Sequence, residues 1–347
     1  MTRFAESIQR LVDGHSLSRE ESRAAMTLLM SGQATPIQIA SFLTALRMKG
    51  ETVDEITGAA EAMRAAALPV HCKAKVVVDT CGTGGDGQGS FNVSTGAAFV
   101  VAGAGYTVAK HGNRSISSRC GSADLLEQLG IPLETTPAVA EESLKQVGIA
   151  FLFAPAFHPA MKYAMPVRKE LGIRTLFNLL GPLTNPARPT VQLIGLYDPA
   201  RVESIARVLV QLGCRQGCVV HGQGHDEIVL TGSTTVAEIQ DGSVSLKTWT
   251  VRDFGLTPLS DGQITGGTAR DNADILLKVL KGECNAFRDV ICLNAAAAIC
   301  AASRQAQSPL TLRQSYQAAQ DSLDQKRALQ KLEQLKDFLA SSRSRHG

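Results

Sequence analysis

Apolar side chains recur every three or four positions through the first 70 residues, the spacing of one buried helix face. Three capping-box patterns interrupt this spacing, each a Ser or Thr followed three residues later by Glu or Gln. They begin at Ser18, Thr35 and Thr52, and glycines stand at positions 14, 32 and 50, where helices should end. The pattern predicts a small all-helical domain over residues 1–72.

From residue 73 onward the pattern changes to short β-branched runs that alternate with helical stretches. The predicted strands cover residues 75–79, 106–109, 149–153, 191–196 and 218–220, and the predicted helices cover residues 95–104, 122–129, 137–147 and 199–212. Such alternation is typical of an α/β domain with a largely parallel central sheet flanked by helices. We predict this architecture for the larger domain, residues 73–347.

The last third of the chain predicts one hairpin and several long helices. Strand-like runs at 236–239 and 244–250 flank Asp241-Gly242, a dipeptide that favours a tight antiparallel turn. Helical spacing then covers residues 269–280, 287–302 and 312–339, and residues 341–347 are expected to be a frayed tail.

Composition narrows the classes of function. The chain has 347 residues, of which 44% are hydrophobic and 19% charged, which excludes wholesale disorder. A formal charge of +3 and 5% aromatic residues argue against a nucleic-acid or membrane partner. The amino terminus is charged where a signal peptide needs an apolar core. Eight scattered cysteines without a C-x-x-C pattern indicate reduced thiols, so we expect a cytoplasmic protein.

A glycine-rich segment follows the first predicted strand. Residues 82–87 (GTGGDG) contain a G-x-G-x-x-G pattern, but the loop continues through residue 92 where a dinucleotide-binding motif would start its helix. That motif also needs an acidic residue about 20 positions later, and residues 88–123 contain none. No Gly-Lys-Ser/Thr follows, so the segment is not a P-loop either.

The same acid-free window is rich in groups that bind anions. It carries four basic residues, and its hydroxyl and amide side chains are Ser90, Asn92, Ser94, Thr95, Ser115, Ser117 and Ser118. The basic residues are Lys110, His111, Arg114 and Arg119. A helix starting near Ser94 directs its positive end toward the glycine loop. The alternative is an ordinary flexible surface loop, but the lack of acids favours a phosphate or pyrophosphate site.

Two further features have both a plain and a chemical interpretation. Taken alone, Asp226-Glu227 is a solvated turn; opposite a basic phosphate pocket, the pair suits Mg²⁺, which binds through few carboxylates plus substrate phosphates. Taken alone, Arg168 is a surface arginine paired with Glu170, and only a family resemblance would give its planar guanidinium a substrate carboxylate to bind.

Five segments together resemble the signature of the anthranilate phosphoribosyltransferases. They are residues 82–86 (GTGGD), 92–95 (NVST), 110–114 (KHGNR), 177–186 (FNLLGPLTNP) and 220–227 (VHGQGHDE). The resemblance covers nearly the whole chain. It implies transfer of the phosphoribosyl group from 5-phosphoribosyl 1-pyrophosphate (PRPP) to the amine of anthranilate, with release of pyrophosphate. This is the second step of tryptophan biosynthesis from chorismate.

The resemblance also implies an architecture and partners. The fold is of the nucleoside phosphorylase and phosphoribosyltransferase type, with a segment near 165–190 returning to the small domain and the site in the cleft. The larger domain binds PRPP. The expected assembly is a homodimer through helical faces at 5–12 and 36–48. The sequence leaves open whether a separate glutamine amidotransferase is a partner.

The implied site residues fall into three groups. The PRPP site comprises Gly82, Gly85, Asp86, Ser90, Asn92, Val93, Ser94, Thr95, Lys110, His111, Gly112, Asn113, Arg114, Ser115, Ile116, Ser117, Ser118 and Ser122. The anthranilate site comprises Gly82, Asn113 and Arg168, with His111 and Pro182 shaping the aromatic pocket. Mg²⁺, two ions per site, is held by Ser94, Asp226 and Glu227.

No general acid or base is assigned, because the aromatic amine is already neutral near pH 7. The expected chemistry is a dissociative displacement, in which positioning and leaving-group stabilisation dominate. Two other functions stay open on this scaffold. A pyrimidine nucleoside phosphorylase would use free phosphate, against which Arg168 and the acidic pair argue. A non-enzymatic nucleic-acid-binding relative would need a strongly basic surface, which the charge balance does not indicate.

Overall fold

The computed structural model describes residues 3–85, 89–115, 119–257 and 264–344. Four helices form the amino-terminal bundle: α1 (Arg3–Val12), α2 (Arg19–Met30), α3 (Pro36–Lys49) and α4 (Val53–Ala66). Ser18, Thr35 and Thr52 cap the last three of these helices, each accepting a hydrogen bond from a backbone N–H three residues later. All three are complete capping boxes, which confirms the helix starts predicted from the sequence.

The described part of the chain forms one seven-stranded sheet. Its strands are β1 (Val77–Gly82), β2 (Thr107–Gly112), β3 (Ile149–Phe153), β4 (Val191–Gly195), β5 (Gln216–Gly222), β6 (Thr234–Gln240) and β7 (Ser243–Trp249). The spatial order is β3-β2-β1-β4-β5-β6-β7. The first five strands are parallel, and β6 and β7 are antiparallel. The largely parallel sheet of the sequence prediction is confirmed.

Helices between the strands cover both faces of the sheet. Those before β5 are α5 (Val93–Gly103), α6 (Ser122–Gln128), α7 (Pro137–Gln146), α8 (Ala154–Phe157), α9 (Met165–Leu171), α10 (Phe177–Leu180) and α11 (Val202–Gln211). Those after β7 are α12 (Ala269–Leu280), α13 (Ala286–Gln305), α14 (Leu312–Asp324) and α15 (Arg327–Ser344). Short 3-10 turns lie at Pro159–Tyr163, Gly181–Leu183, Pro199–Arg201 and Val251–Phe254.

The central strands are buried on both faces, so their apolar residues divide between two cores. Along β4, Leu193 packs into a core with α5, α13, α14 and α15, while Ile194 packs into a core with α11 and the bundle. This alternation follows from the two-residue repeat of a strand. Helix α13 is long and apolar enough to cross a membrane, but 83% of its most apolar window is buried inside the protein.

The bundle core includes a later segment of the chain. Leu176, Leu180 and Leu183 belong to the same apolar cluster as Phe42 and Leu46 of α3. Helix α9 contacts α3, and α10 contacts α4. The sequence patterns predicted no helix for residues 154–183, because these helices have only four to seven residues, too short to show a helical repeat.

The chain passes between bundle and sheet at one place. The backbone N–H of Leu68 donates to the Phe157 carbonyl at 2.9 Å, and that of Val70 donates to the Pro186 carbonyl at 3.2 Å. These residues lie on the three connections between α4 and β1, between β3 and α9, and between α10 and β4. The three connections are therefore hydrogen-bonded to one another.

Two features at the carboxyl end differ from the sequence prediction. The single helix expected over 312–339 is broken at Gln325 and Lys326, where Lys326 adopts a left-handed backbone with φ 58°. No Gly or Pro marks this break; the turn lets α14 and α15 both pack on α5. The tail expected from residue 341 is helical as far as Ser344.

Candidate active site

The candidate site lies at the carboxyl ends of β1, β2, β4 and β5. The glycine loop follows β1, residues 113–115 follow β2, and the turn at 223–227 follows β5. In a parallel sheet these ends share one edge, where α/β proteins bind ligands. Segments that are more than 100 residues apart in the sequence therefore meet here.

Two glycines make room for Asp226. Its Oδ2 accepts a hydrogen bond from the backbone N–H of Gly84 at 2.8 Å. A Cβ at Gly82 would overlap that carboxylate, and a Cβ at Gly195 would overlap the Asp226 backbone carbonyl. Only glycine fits at position 195, where the contact is with backbone, and a side chain at position 82 would displace the carboxylate. The last residues of β1 and β4 therefore set where this carboxylate stands.

Two histidines fix the turn after β5. The His221 Nε2 accepts from the backbone N–H of Gly224 at 3.1 Å, so its Nδ1 carries the proton and donates to the Leu196 carbonyl at 2.8 Å. The His225 Nδ1 and Ser90 Oγ are 2.9 Å apart, which joins the turn to the glycine loop. Both histidines serve to position the loop that carries Asp226.

Lys110 is a buried cation at the centre of the site. Residues 110 and 111 belong to β2, and the Lys110 ammonium donates to the Thr80 carbonyl at 2.6 Å and to Ser94 Oγ at 3.3 Å. Thr80 Oγ1 donates in turn to the Ser94 carbonyl at 2.8 Å. Burial lowers the pKa of Lys110, and Asp79 opposes that shift. Ser94, the second residue of α5, is thereby held beside the cation.

Asp79 supports this arrangement from inside β1. Its carboxylate is fully buried and accepts from Asn185 Nδ2 at 2.9 Å and from the backbone N–H of His111 at 3.2 Å. Burial raises the pKa of Asp79, while Lys110 lowers it. The sequence analysis assigned no role to Asp79 or Asn185. The one available signal was an aspartate at the end of a β-branched run.

His111 is a neutral imidazole. Its Nδ1 lies 3.1 Å from the Gly181 carbonyl, and its ring centroid is 5.1 Å from that of His158. Burial, followed by the proximity of His158, lowers the pKa of His111 to about 3. The ring is therefore uncharged near neutral pH and offers an apolar and hydrogen-bonding surface rather than an acid.

Arg114 does not present an unopposed charge. Its Nη1 lies 2.9 Å from Asp124 Oδ1 and 2.8 Å from Glu127 Oε2, both of which follow the acid-free window directly. Asp124 Oδ2 also accepts from the backbone N–H groups of Ser115 and Gly121, at 3.1 and 2.9 Å. The acid at the start of α6 thus shapes the segment after β2.

Arg168 and Arg174 approach from the segment between β3 and β4. The half-buried Arg168 guanidinium lies 5.0 Å from the Phe177 ring centroid, and burial lowers its pKa. Within the described chain no carboxylate lies within 4.0 Å of it, so the pairing with Glu170 that was the alternative interpretation is not formed. Arg174, which the sequence analysis missed, stacks 4.1 Å from the Tyr197 ring and donates to the Gly85 carbonyl.

The donor set suits a hard cation with incomplete protein ligation. Over the described residues no group of three or more His, Cys, Asp and Glu side chains is placed to hold a metal. Mg²⁺ does not need one, because it binds through one or two carboxylates and completes its shell with water and substrate phosphates. The Asp226 carboxylate, seated against the glycine loop, fits that requirement.

Comparisons with known proteins match nearly the whole chain to one family. A model described as glycosyl transferase family, a/b domain, matches residues 74–329, and one described as glycosyl transferase family, helical bundle domain, matches residues 5–67. The anthranilate phosphoribosyltransferase of Moorella thermoacetica is 52% identical over 335 residues, which cover 96% of this chain and 98% of that protein. The chain belongs to the anthranilate phosphoribosyltransferase family.

Solved structures of the anthranilate phosphoribosyltransferase family share the fold. The Thermus thermophilus protein has a TM-score of 0.90 and 40% identity, covering 96% of this chain and 99% of that one. The Saccharomyces cerevisiae protein in complex with PRPP and Mg has a TM-score of 0.88 and 29% identity, covering 97% of this chain and 98% of that one. The helical domain joined to a larger α/β domain, expected from the sequence, is confirmed.

The site residues predicted for this anthranilate phosphoribosyltransferase fold fall into three groups: outside the described chain, buried, or at the sheet edge. Asp86, Ile116, Ser117 and Ser118 lie outside the described residues. Val93 and Thr95 are fully buried in α5, so only their backbone can face a ligand. Those that meet at the sheet edge are Gly82, Gly85, Ser90, Asn92, Ser94, Lys110, His111, Gly112, Asn113, Ser115, Ser122, Asp226 and Glu227.

Proposed function

We propose that the chain transfers the phosphoribosyl group of PRPP to the amine of anthranilate, giving N-(5-phosphoribosyl)anthranilate and pyrophosphate in tryptophan biosynthesis. One observation carries the proposal: a buried lysine, the start of α5 and a glycine loop share one sheet edge with the Asp226 carboxylate. This combination suits a magnesium-bound polyphosphate. The yeast relative in complex with PRPP and Mg supports it.

PRPP would bind with its phosphates among backbone N–H groups and cations. The glycine loop supplies backbone donors, and the start of α5 adds the positive end of a helix dipole at Asn92 and Ser94. Lys110 supplies a fixed positive charge. Arg114, already paired with Asp124 and Glu127, would shape the segment rather than neutralise phosphate.

Mg²⁺ would be held by Ser94, Asp226 and Glu227, and we propose two ions per site. When bound, the metal would draw negative charge from the departing pyrophosphate, which lowers the barrier to its loss. Asp226 is held in place by the Gly84 N–H, and Ser94 by Thr80 and Lys110. These residues therefore need little reorganisation to accept the ion.

Anthranilate would be oriented by Arg168, with Asn113 and Gly82 nearby. A guanidinium matches a planar carboxylate with two parallel hydrogen bonds. Arg168 is suited to this role because it is desolvated and has no carboxylate of its own in the described chain. The yeast relative in complex with 4-fluoroanthranilate supports a substrate of this class.

The chemistry requires no general base. The anthranilate amine is neutral near pH 7, so no side chain needs to remove a proton before attack. As the C–N bond forms and the bond to pyrophosphate breaks, the nitrogen releases one proton to water or to pyrophosphate. His111 is neutral near pH 7, because burial lowers its pKa to about 3, so it is not a proton donor. We propose a dissociative displacement, in which the ribose–pyrophosphate bond breaks early and fixed charges stabilise the leaving group. Binding energy is used to orient the amine toward the ribose.

The proposed organisation has a small helical domain over residues 1–72, joined by residues near 165–190, and a large PRPP-binding domain over 73–347. Exposed apolar side chains on α1 and α3, namely Val12, Ile37 and Met48, support a homodimer through these helices. We propose a cytoplasmic enzyme, since its eight cysteines form no disulfide. Neither nucleic acid nor a membrane has a place in this function.

The proposal is tested by anthranilate fluorescence. Purified protein is mixed with anthranilate, PRPP and Mg²⁺, and the expected result is a loss of signal, with phosphoribosyl anthranilate identified by mass. EDTA should stop the loss. A folded, magnesium-loaded protein that leaves the fluorescence unchanged, but cleaves a pyrimidine nucleoside with phosphate, would instead establish the phosphorylase alternative.

A further inference from the structure

A second cavity lies at the end of the sheet opposite to the candidate active site. It has a volume of about 960 Å³, opens to solvent, and is bordered by α2, α4, the end of α11 and the first residues of β4. Thr190 and Gln192, at the amino end of β4, are among its lining residues. The catalytic edge of the same strand is at Gly195, so the two sites are separated by the length of the strand.

Positive charge predominates in this cavity. Four arginines line it, Arg23, Arg64, Arg188 and Arg215, against two acids, Glu20 and Glu61. Glu61 is already paired with Arg19, outside the lining. Within the described chain none of the four arginines has a carboxylate within 4.0 Å.

Arg64 is the most enclosed of the four. Its Nε donates to the Leu183 carbonyl at 2.7 Å and its Nη1 to the Leu212 carbonyl at 3.3 Å. Burial and then Arg188 lower its pKa to about 10. The charge of Glu61 opposes part of that shift, while the two neutral carbonyls hold the guanidinium in place without cancelling its charge.

Arg188 enters the cavity from a turn with an unusual backbone. Its φ is 47°, in the left-handed region that few non-glycine residues adopt, and its N–H donates to the Asn185 carbonyl at 3.1 Å. This conformation directs the chain into the short link before β4. Backbone strain of this kind concentrates at binding sites.

The size and walls of the cavity define the ligand class. Ala24, Leu28 and Ala62 add apolar surface to the lining. A cavity of about 960 Å³ is large for a lone inorganic ion but is typical for a small organic molecule. We propose that the cavity binds an organic oxyanion, a carboxylate or a phosphate ester, through Arg23, Arg64, Arg188 and Arg215.

Calorimetry with two probes tests this site. Glutarate and glycerol 3-phosphate are titrated into the full chain, which distinguishes carboxylate from phosphate recognition. We expect saturable binding of at least one probe below about 10 mM. Arg215→Gln and Arg23→Gln, both at exposed positions, should each weaken it by about tenfold, the loss of one charge-assisted contact.

The matched control is Arg252→Gln, an exposed arginine that does not line the cavity. It should leave the affinity unchanged, and the uncharged diamide of glutarate should not bind. If a probe binds saturably and neither Arg215→Gln nor Arg23→Gln weakens its binding, the anion binds elsewhere, as at the candidate active site. That result would overturn the proposal. Failure of both probes to bind the folded chain would overturn it as well. Neither result depends on phosphoribosyl transfer, because no turnover is measured.

Discussion

Two arginines near the candidate site differ in whether an acidic side chain offsets their positive charge. Arg114 has two acidic partners, whereas the desolvated Arg168 has none within 4.0 Å in the described chain. Both are arginines that the family resemblance places at the site, and their surroundings separate a structural ion pair from a residue suited to a substrate carboxylate. The distinction is visible only in three dimensions.

Replacing Arg168 should affect one substrate selectively. Arg168→Ala is expected to lower kcat/KM for anthranilate by about 100-fold, because a charge-assisted bidentate contact contributes roughly 2–3 kcal/mol. The KM for PRPP should stay within about twofold. Lys169→Ala, at the adjacent exposed position, is the control. Steady-state kinetics measure both constants, and an unchanged kcat/KM for anthranilate would remove Arg168 from the substrate site.

Replacing Asp226 by asparagine tests the role of its negative charge separately from its role in the turn. Asp226→Asn keeps an acceptor for the Gly84 N–H but removes the negative charge, so the turn should be retained while magnesium affinity falls. We expect turnover to drop by at least about 100-fold and to need more Mg²⁺. Thermal unfolding should match that of the exposed control Asp274→Asn. Wild-type magnesium dependence in the variant would contradict this role.

The buried histidine pair predicts how stability depends on pH. Burial lowers the pKa of His111 to about 3 and that of His158 to about 4, both below the value of ~6.5 in an unfolded chain. Between these folded pKa values and pH ~6.5, the unfolded chain therefore binds more protons than the folded chain. This contribution to stability is complete above pH ~6.5 and falls by about 1.4 kcal/mol per pH unit for each imidazole on acidification.

Urea unfolding at pH 7, 6 and 5 measures this dependence. His158→Gln should flatten the loss of unfolding free energy between pH 6.5 and 5, since one titrating group is removed. His71→Gln, at an exposed position, should leave the slope as in the unmodified chain. Equal slopes for all three proteins would show that His158 does not gain a proton on unfolding.

The sequence indicated the residues that meet at the sheet edge better than the residues that support them. Glycines, hydroxyls and adjacent acids have recognisable spacing, so the loop at 82–85 and Asp226 were singled out as candidates. Asn185 supports Asp79 from 106 positions away, and Arg174 contacts Gly85 across 89 positions. No local pattern specifies such pairs, because the fold alone brings them together.

At the scale of elements, the close approach of β4 to the turn after β5 allows only glycine at position 195. Gly195→Ala should push the Asp226 backbone away from the glycine loop. We expect kcat/KM to fall by about 100-fold, the usual cost of misplacing a reacting group by an ångström. Steady-state kinetics check this against Gly14→Ala.

The control residue, Gly14, follows α1 and has a φ of 79°. A Cβ added there would have no atom within 4 Å. Alanine there should cost about 1 kcal/mol of stability through backbone strain alone and leave kinetics unchanged. If both variants lose the same stability and neither loses activity, the position of Asp226 does not depend on Gly195.

Elements with strong local signals were predicted correctly. The hairpin at Asp241-Gly242 forms as expected, with φ of 51° and 81°, the left-handed pair that such a turn requires. The break at Lys326 was missed, because a lysine carries no turn preference and tertiary packing on α5 imposes the bend. Short helices between β3 and β4 were missed for lack of length.

At the scale of the molecule, the bundle shares its apolar core with later segments of the chain. Phe42 and Leu46 share an apolar cluster with Leu180 and with Ile205 of α11. A fragment of residues 1–72 should therefore expose a large apolar face and fail to unfold cooperatively, as judged by thermal circular dichroism. Adding the fragment 73–347 should restore cooperativity. A sharp transition in the short fragment alone would contradict a shared core.

The three connections between bundle and sheet are joined by the hydrogen bonds of Leu68 and Val70. The backbone links between the two parts are therefore gathered near residues 68–70, 157 and 186. Away from these links the two parts are held by the apolar cluster that Phe42 shares with Ile205. Any turn of the bundle against the sheet would have to slide the side chains of that cluster past one another, so the resistance to turning comes from packing rather than from the chain connections.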